Sequence, residues 1–130
     1  MQFALLIQGS PTSSQSLLSA HAFACSAITS GHSIQRAFFY HDAVLIGSDH
    51  LAPPQDEPNV QALWQALGSE HDIPLILCVA SCLRRGILDE REAQRFEKPS
   101  PSLAKGFEIG GLGQLIDGAL NADRTLTFLP

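Results

Sequence analysis

Pro74-Leu-Ile-Leu-Cys78-Val-Ala-Ser81-Cys82-Leu-Arg84-Arg85-Gly86 changes character halfway along. It opens as an unbroken apolar run, the pattern of a strand covered on both faces in a parallel sheet. It continues with small and basic residues suited to a short helix, and Gly86 fits the position just past a helix end. Cys78 stands where one pattern gives way to the other. Ligands of open parallel sheets gather at the carboxyl ends of the strands, often beside a helix start. A thiol at that point feels the positive end of the helix dipole, which favours thiolate over thiol.

The rest of the chain repeats the same alternation. Residues 3–8 predict a first strand, and Gly9-Ser-Pro-Thr-Ser-Ser-Gln-Ser16 a turn into a helix over 14–30. Gly31 ends that helix, and residues 33–40 predict the second strand. A long loop rich in proline and acids fills 41–59, with a short strand expected over 43–46. Val60, Leu63, Trp64 and Leu67 recur at helical spacing, so a helix should run to Gly68. After the Cys78 segment come a helical turn or two over 89–96, a loop over 98–102 and a short strand over 107–109. A helix over 111–121 and a last, alternating strand over 124–129 complete the chain. Strands alternating with helices predict an α/β fold: a three-layer α/β/α domain over residues 1–130, with a mainly parallel sheet of about five strands.

Composition narrows the function. Hydrophobic residues make up 45 % of the 130, which excludes a disordered chain. The net charge of −5 argues against a general affinity for nucleic-acid backbones. No apolar run approaches the roughly 20 residues that a membrane helix needs. Met1-Gln-Phe-Ala-Leu-Leu-Ile7 has no basic segment and reads as a strand, not a signal peptide. Three cysteines without a secretory signal argue against a disulfide scaffold and for a reducing, cytoplasmic setting. No Asp, Glu, Lys or Arg precedes Arg36, so the first helix should present part of a neutral outer face to another subunit.

Several motifs fail on inspection. Gly111-Leu-Gly113-Gln-Leu-Ile116 ends in Ile where a dinucleotide fingerprint needs Gly or Ala, and no phosphate-loop Lys follows. The hydroxyl-rich Gly9 loop would suit a flavodoxin-like phosphate site, but Ser and Thr also simply cap helices. His21, His32, His41, His50 and His71 are scattered, without metal-ligand spacing, so no metal or other cofactor is expected. Cys25 and Cys82 read as small buried hydrophobes. Cys78 is the candidate nucleophile, although buried cysteines are common in strands, so a structural role and a redox switch resolved by Cys82 both stay open on the residues alone.

Cys78-Val-Ala-Ser-Cys-Leu-Arg-Arg-Gly-Ile-Leu-Asp-Glu90 resembles the Cys-Val-Ala-x-x-x-Arg-Arg-Gly-x-x-Asp-Glu segment of the TusD branch of the DsrE family. Phe38-Phe-Tyr40 with Val44, Ala62-Leu-Trp64-Gln, Gly106-Phe-x-x-x-Gly-Leu-Gly113 and Ala122-Asp-Arg124 match the same group in the same order. The resemblance implies a sulfurtransferase in which Cys78 carries a persulfide, with Ser81, Arg84 and Arg85 in supporting positions. It implies a TusA-like sulfur donor, a TusE-like acceptor and TusB-like and TusC-like partners in a heterohexamer. The sulfur would end in 2-thiouridine at the tRNA wobble position, through proteins only and without direct nucleic-acid contact. Cys82 departs from the family pattern, which has a small residue without sulfur there. A DsrE-type role in dissimilatory sulfur oxidation is the nearest alternative, and self-association is expected when the chain is expressed alone.

Overall fold

The computed structural model describes residues 1–130. Five strands form one sheet: β1 (Gln2–Ile7), β2 (Ser33–Phe39), β3 (Leu75–Cys78), β4 (Glu108–Gly110) and β5 (Arg124–Phe128). Their order is β4-β3-β2-β1-β5, and every neighbouring pair is parallel. The helices are α1 (Ser16–Thr29), α2 (Val60–His71), α3 (Val79–Arg84), α4 (Glu90–Arg95) and α5 (Leu112–Asn121). The strand order explains the layers. The chain steps in one direction from β1 to β4, then α5 carries it back across the whole sheet to β5 at the opposite edge. Right-handed crossovers therefore put α5 on the face opposite α1 and α2. The side chains agree: Phe39 packs edge-on against Trp64 of α2, whereas Arg36 reaches Gln114 and Asp117 of α5.

Local chemistry accounts for most element ends. All four residues of β3 are buried, as a central parallel strand requires. Asn59 caps α2 by accepting from the Ala62 N–H, and Asp89 caps α4 by accepting from the Glu92 N–H. Gly86 takes φ +74° just after α3, a left-handed conformation that only glycine adopts without strain.

Two expectations are corrected. Residues 43–46 are not a strand; they lie in a 3₁₀ helix, His41–Gly47, with Ala43, Val44, Ile46 and Gly47 buried. A four-residue apolar run has no periodicity to separate a strand from a buried helical turn. The first helix also turns inward more fully than its composition suggested. Leu17, Ala20, Ala24 and Ala27 are buried, and its exposed face consists of Ser19, Ala22, Ser26 and Thr29. No large apolar side chain is exposed there.

The 3₁₀ helix seats on β3 through Gly47. A Cβ on Gly47 would overlap Cδ1 of Leu77, itself fully buried. Gly47→Ala is therefore expected to lower stability by about 1–3 kcal/mol, the usual cost of overpacking. Denaturant midpoints measure it; a change below about 0.5 kcal/mol, the size of a neutral surface substitution, would show that Leu77 simply moves aside.

Candidate active site at the end of β3

Cys78 is both the last residue of β3 and the N-cap of α3, in extended backbone (φ −61°, ψ 124°). The residue is 2 % exposed. On one side it pairs with Gly110 of β4. On the other, Phe39 pairs with Leu77, so the next step of the ladder sets Tyr40 level with Cys78. Strand alternation decides where the thiol points. Leu75 meets Gly68 of α2 and Leu77 meets Gly47, so Ile76 and Cys78 face the α5 side. Gly110 brings no side chain to that side. A Cβ there would stand 2.7 Å from Nε2 of Gln114 and 2.9 Å from Cγ2 of Ile76.

Cys82 lies one helical turn further on and is fully buried. Burial pushes its thiol up to about 12, helped by the neighbouring Cys78 and Asp89 and opposed by Arg85. At neutral pH it stays a neutral thiol, which is a poor nucleophile. All three cysteines are free. Cys25 sits apart on α1, half-buried, with its Sγ 3.8 Å from both ring nitrogens of His21.

The three supporting residues separate. Ser81 is buried; its Oγ accepts the His41 N–H at 3.1 Å, and its carbonyl accepts from Nη1 of Arg85 at 3.0 Å. Arg85 also donates from Nε to Oδ1 of Asp42 at 2.9 Å. Asp42 is largely exposed, so this ion pair contributes little stability, on the order of 1 kcal/mol at most. Its effect is geometric: two contacts tie α3 to the turn that follows β2. Arg84 points to solvent and joins no hydrogen bond or ion pair. Ser81 and Arg85 are thus joined to the turn that follows β2, whereas Arg84 is exposed.

Sequence reasoning missed Tyr40, His41 and Asp42. The signal was available, because residues just past β2 must lie at the carboxyl edge of the sheet beside the end of β3. His41 holds φ +51°, a left-handed conformation uncommon outside glycine. Its ring packs edge-on against Tyr40 with centroids 4.1 Å apart. In the Gly9 loop Ser10 Oγ and Thr12 Oγ1 share a hydrogen bond and Ser14 Oγ accepts the Ser16 N–H, whereas the buried Ser16 Oγ has no partner. No three His, Cys, Asp or Glu side chains converge to form a metal site. The chemistry available at this edge is that of a thiol framed by hydroxyl, imidazole, carboxylate and guanidinium groups.

Known proteins are similar to this chain along nearly its whole length. TusD of Klebsiella pneumoniae, named a sulfurtransferase, is 41 % identical over 128 residues, covering 98 % of this chain and 100 % of its own. DsrE of Allochromatium vinosum is also 41 % identical, with 98 % of each chain covered. Among solved structures, the ychN protein of E. coli superposes with a TM-score of 0.77 at 27 % identity, covering 98 % of this chain and 99 % of that one. The parallel sheet, the cysteine at the end of its β3 strand and the match over residues 1–128 together place the chain in the DsrE/DsrF-like family.

Proposed function

We propose that the protein is a sulfurtransferase that carries sulfur as a persulfide on Cys78. The observation that carries this reading is the position of Cys78, at the carboxyl end of a central parallel strand and the start of a helix. The names of the relatives support the same chemistry. In the transfer, the Cys78 thiolate attacks the outer sulfur of a donor persulfide. The donor's S–S bond breaks, its thiolate leaves, and Cys78 holds Cys–S–SH. An acceptor thiolate then repeats the attack and restores Cys78. Both steps are redox-neutral and need no cofactor.

The donor in this reading is a TusA-like carrier, the acceptor is TusE-like, and the sulfur is destined for 2-thiouridine in tRNA. With a net charge of −5, the chain suits a relay that meets proteins, not nucleic acid. The identity to DsrE of Allochromatium vinosum equals that to TusD, which favours one second reading: the same transfer serving dissimilatory sulfur oxidation. A Cys78–Cys82 redox switch is disfavoured, because Cys82 remains a buried neutral thiol. Reconstitution tests the proposal. Labelled sulfur from a persulfidated TusA-like carrier should pass through this chain to a TusE-like thiol, and omission of the chain should stop it. Transfer at the same rate without the chain would overturn the reading.

Partner subunits of TusB and TusC type in a heterohexamer belong to the same proposal. Leu112, Ile116 and Leu120 lie at i, i+4 and i+8 on α5 and are 48, 59 and 80 % exposed. Such an apolar stripe marks a contact surface, whereas the outer face of α1 carries only small residues. Ile116→Glu is expected to leave the fold intact and dissociate the assembly. Ala20→Glu, at a fully buried position, should unfold the chain. Sedimentation read alongside circular dichroism separates the two; an Ile116→Glu assembly of wild-type size would remove α5 from the interface.

A further inference from the structure

The sulfur transfer leaves one requirement unassigned. The Cys78 thiol must lose its proton before attack, and the departing donor thiolate must gain one, within a site where the thiol is almost fully covered. We infer that His41 is the group that moves this proton, an inference that rests on the persulfide-relay reading of Cys78. Its imidazole would take the proton from the Cys78 thiol as the thiolate attacks the outer sulfur. It would return that proton to the donor thiolate as the S–S bond breaks, so that charge and electrons balance over the step.

The placement comes from register and hydrogen bonding together. Phe39, the last residue of β2, pairs with Leu77, so extending the ladder by one residue sets Tyr40 level with Cys78, and adjacent parallel strands run about 4.8 Å apart. Tyr40 stacks with Phe38 on the face that Cys78 shares with Ile76, and the His41 ring packs edge-on against Tyr40. The His41 backbone is pinned from the other side, where its N–H donates to Oγ of Ser81. Ser81 is the third residue of α3, whose N-cap is Cys78, and these two positions are neighbours at a helix start. Strand register and helix cap thus bring the same histidine to the same rim.

The backbone points the same way. A non-glycine residue at φ +51° is strained, and such residues persist where the surroundings over-determine them, which happens most often at functional sites. Here the surroundings are visible: the Ser81 contact holds His41 itself, and the Arg85–Asp42 pair holds its neighbour. Of the other histidines, His21 is on α1 against Trp64, His32 lies between α1 and β2, His71 is at the end of α2, and His50 is beyond the 3₁₀ helix. The groups that touch His41 or its neighbour are Tyr40 just past β2, Ser81 of α3, and Arg85 just past α3, which pairs with Asp42. The α2 helix brings only Gln61 to this turn, as a donor to the Ile46 carbonyl.

The discriminating variant is His41→Asn. Asparagine tolerates the left-handed backbone better than most residues, so a purely structural role is preserved while the imidazole is lost. Single-turnover sulfur uptake from a persulfidated carrier should slow about 10²-fold at neutral pH, the lower end of proton-transfer effects. Its pH profile should lose the limb that the imidazole supplies. The final stoichiometry on Cys78 should be unchanged. His41→Gln should behave alike, guarding against an effect peculiar to asparagine. Alkylation of Cys78 by iodoacetamide, in a chain with Cys25 and Cys82 replaced by Ser, supplies an arm independent of the relay. There too the variant should lower the rate and flatten the pH profile. Wild-type chain that alkylates with this histidine-dependent profile but accepts no sulfur would sink the relay while sustaining the assignment of His41. Unchanged rate and profile in His41→Asn would overturn the inference.

Discussion

Cys78→Ser is expected to abolish sulfur uptake outright, because a serine hydroxyl supplies no thiolate to attack a persulfide near neutral pH. The controls are built into the chain. Cys82→Ser should keep most of the uptake, since burial holds that thiol protonated, at about 12, and away from donors. Cys25→Ser should also keep it, because Cys25 lies on α1 outside the carboxyl edge of the sheet. Radiolabel transfer measured on the three variants gives the comparison directly. Substantial uptake by Cys78→Ser would move the nucleophile elsewhere and dissolve the site built around β3.

The second large effect is on stability. Trp64→Ala should lower the unfolding free energy by about 3–5 kcal/mol, the range for truncating a large buried aromatic. Trp64 is fully buried between layers: its indole N–H donates to the Leu17 carbonyl of α1 at 3.0 Å, and its ring packs edge-on against Phe39 of β2 at 5.5 Å. Truncation leaves a cavity and removes that hydrogen bond, and both losses act on one junction. Trp64→Phe keeps the ring volume in part and loses the donor, so it should cost less than the alanine variant. Chemical denaturation of both variants measures the difference. A loss under about 1 kcal/mol for Trp64→Ala would mean that α1 and α2 reclose over the gap, contrary to the packing described.

Much of this fold was legible in the sequence for physical reasons. The run Leu75-Ile-Leu-Cys78 had no polar face to give to water, and the change to small and basic residues after it marked where a doubly covered strand ends. Val60, Leu63, Trp64 and Leu67 marked α2, and only its end was short by three residues, since the helix runs on from Gly68 to His71. The 3₁₀ helix at His41–Gly47 was hidden because four apolar residues look the same in either conformation. The exposed apolar stripe on α5 was not anticipated, for a related reason. A lack of charge in α1 was read as a sign of contact, yet most of its apolar residues turn to the sheet, and the exposed stripe falls on α5. Charge content reports on solvent exposure only once the inner face is known.

The site divides along similar lines. Cys78 was singled out because it stands at a change of pattern within one short segment. Ser81 and Arg85 came with it, being within a few residues on the same helix. His41 and Asp42 were missed because they are some forty residues away, separated by |i−j| of 40 and 43 from Ser81 and Arg85 respectively. Only the parallel pairing of β2 with β3 brings those turns together. Arg84 shows the converse. It shares the motif with Arg85, but helical geometry turns it about 100° away, into water.

The most direct test of Cys78 as the sulfur carrier is site-resolved mass spectrometry of the wild-type chain after brief exposure to a persulfidated carrier. The account predicts one added sulfur, about 32 Da, removed by reductant and located by fragmentation on Cys78. The same sulfur located on Cys82, or a chain whose mass does not change, would contradict it.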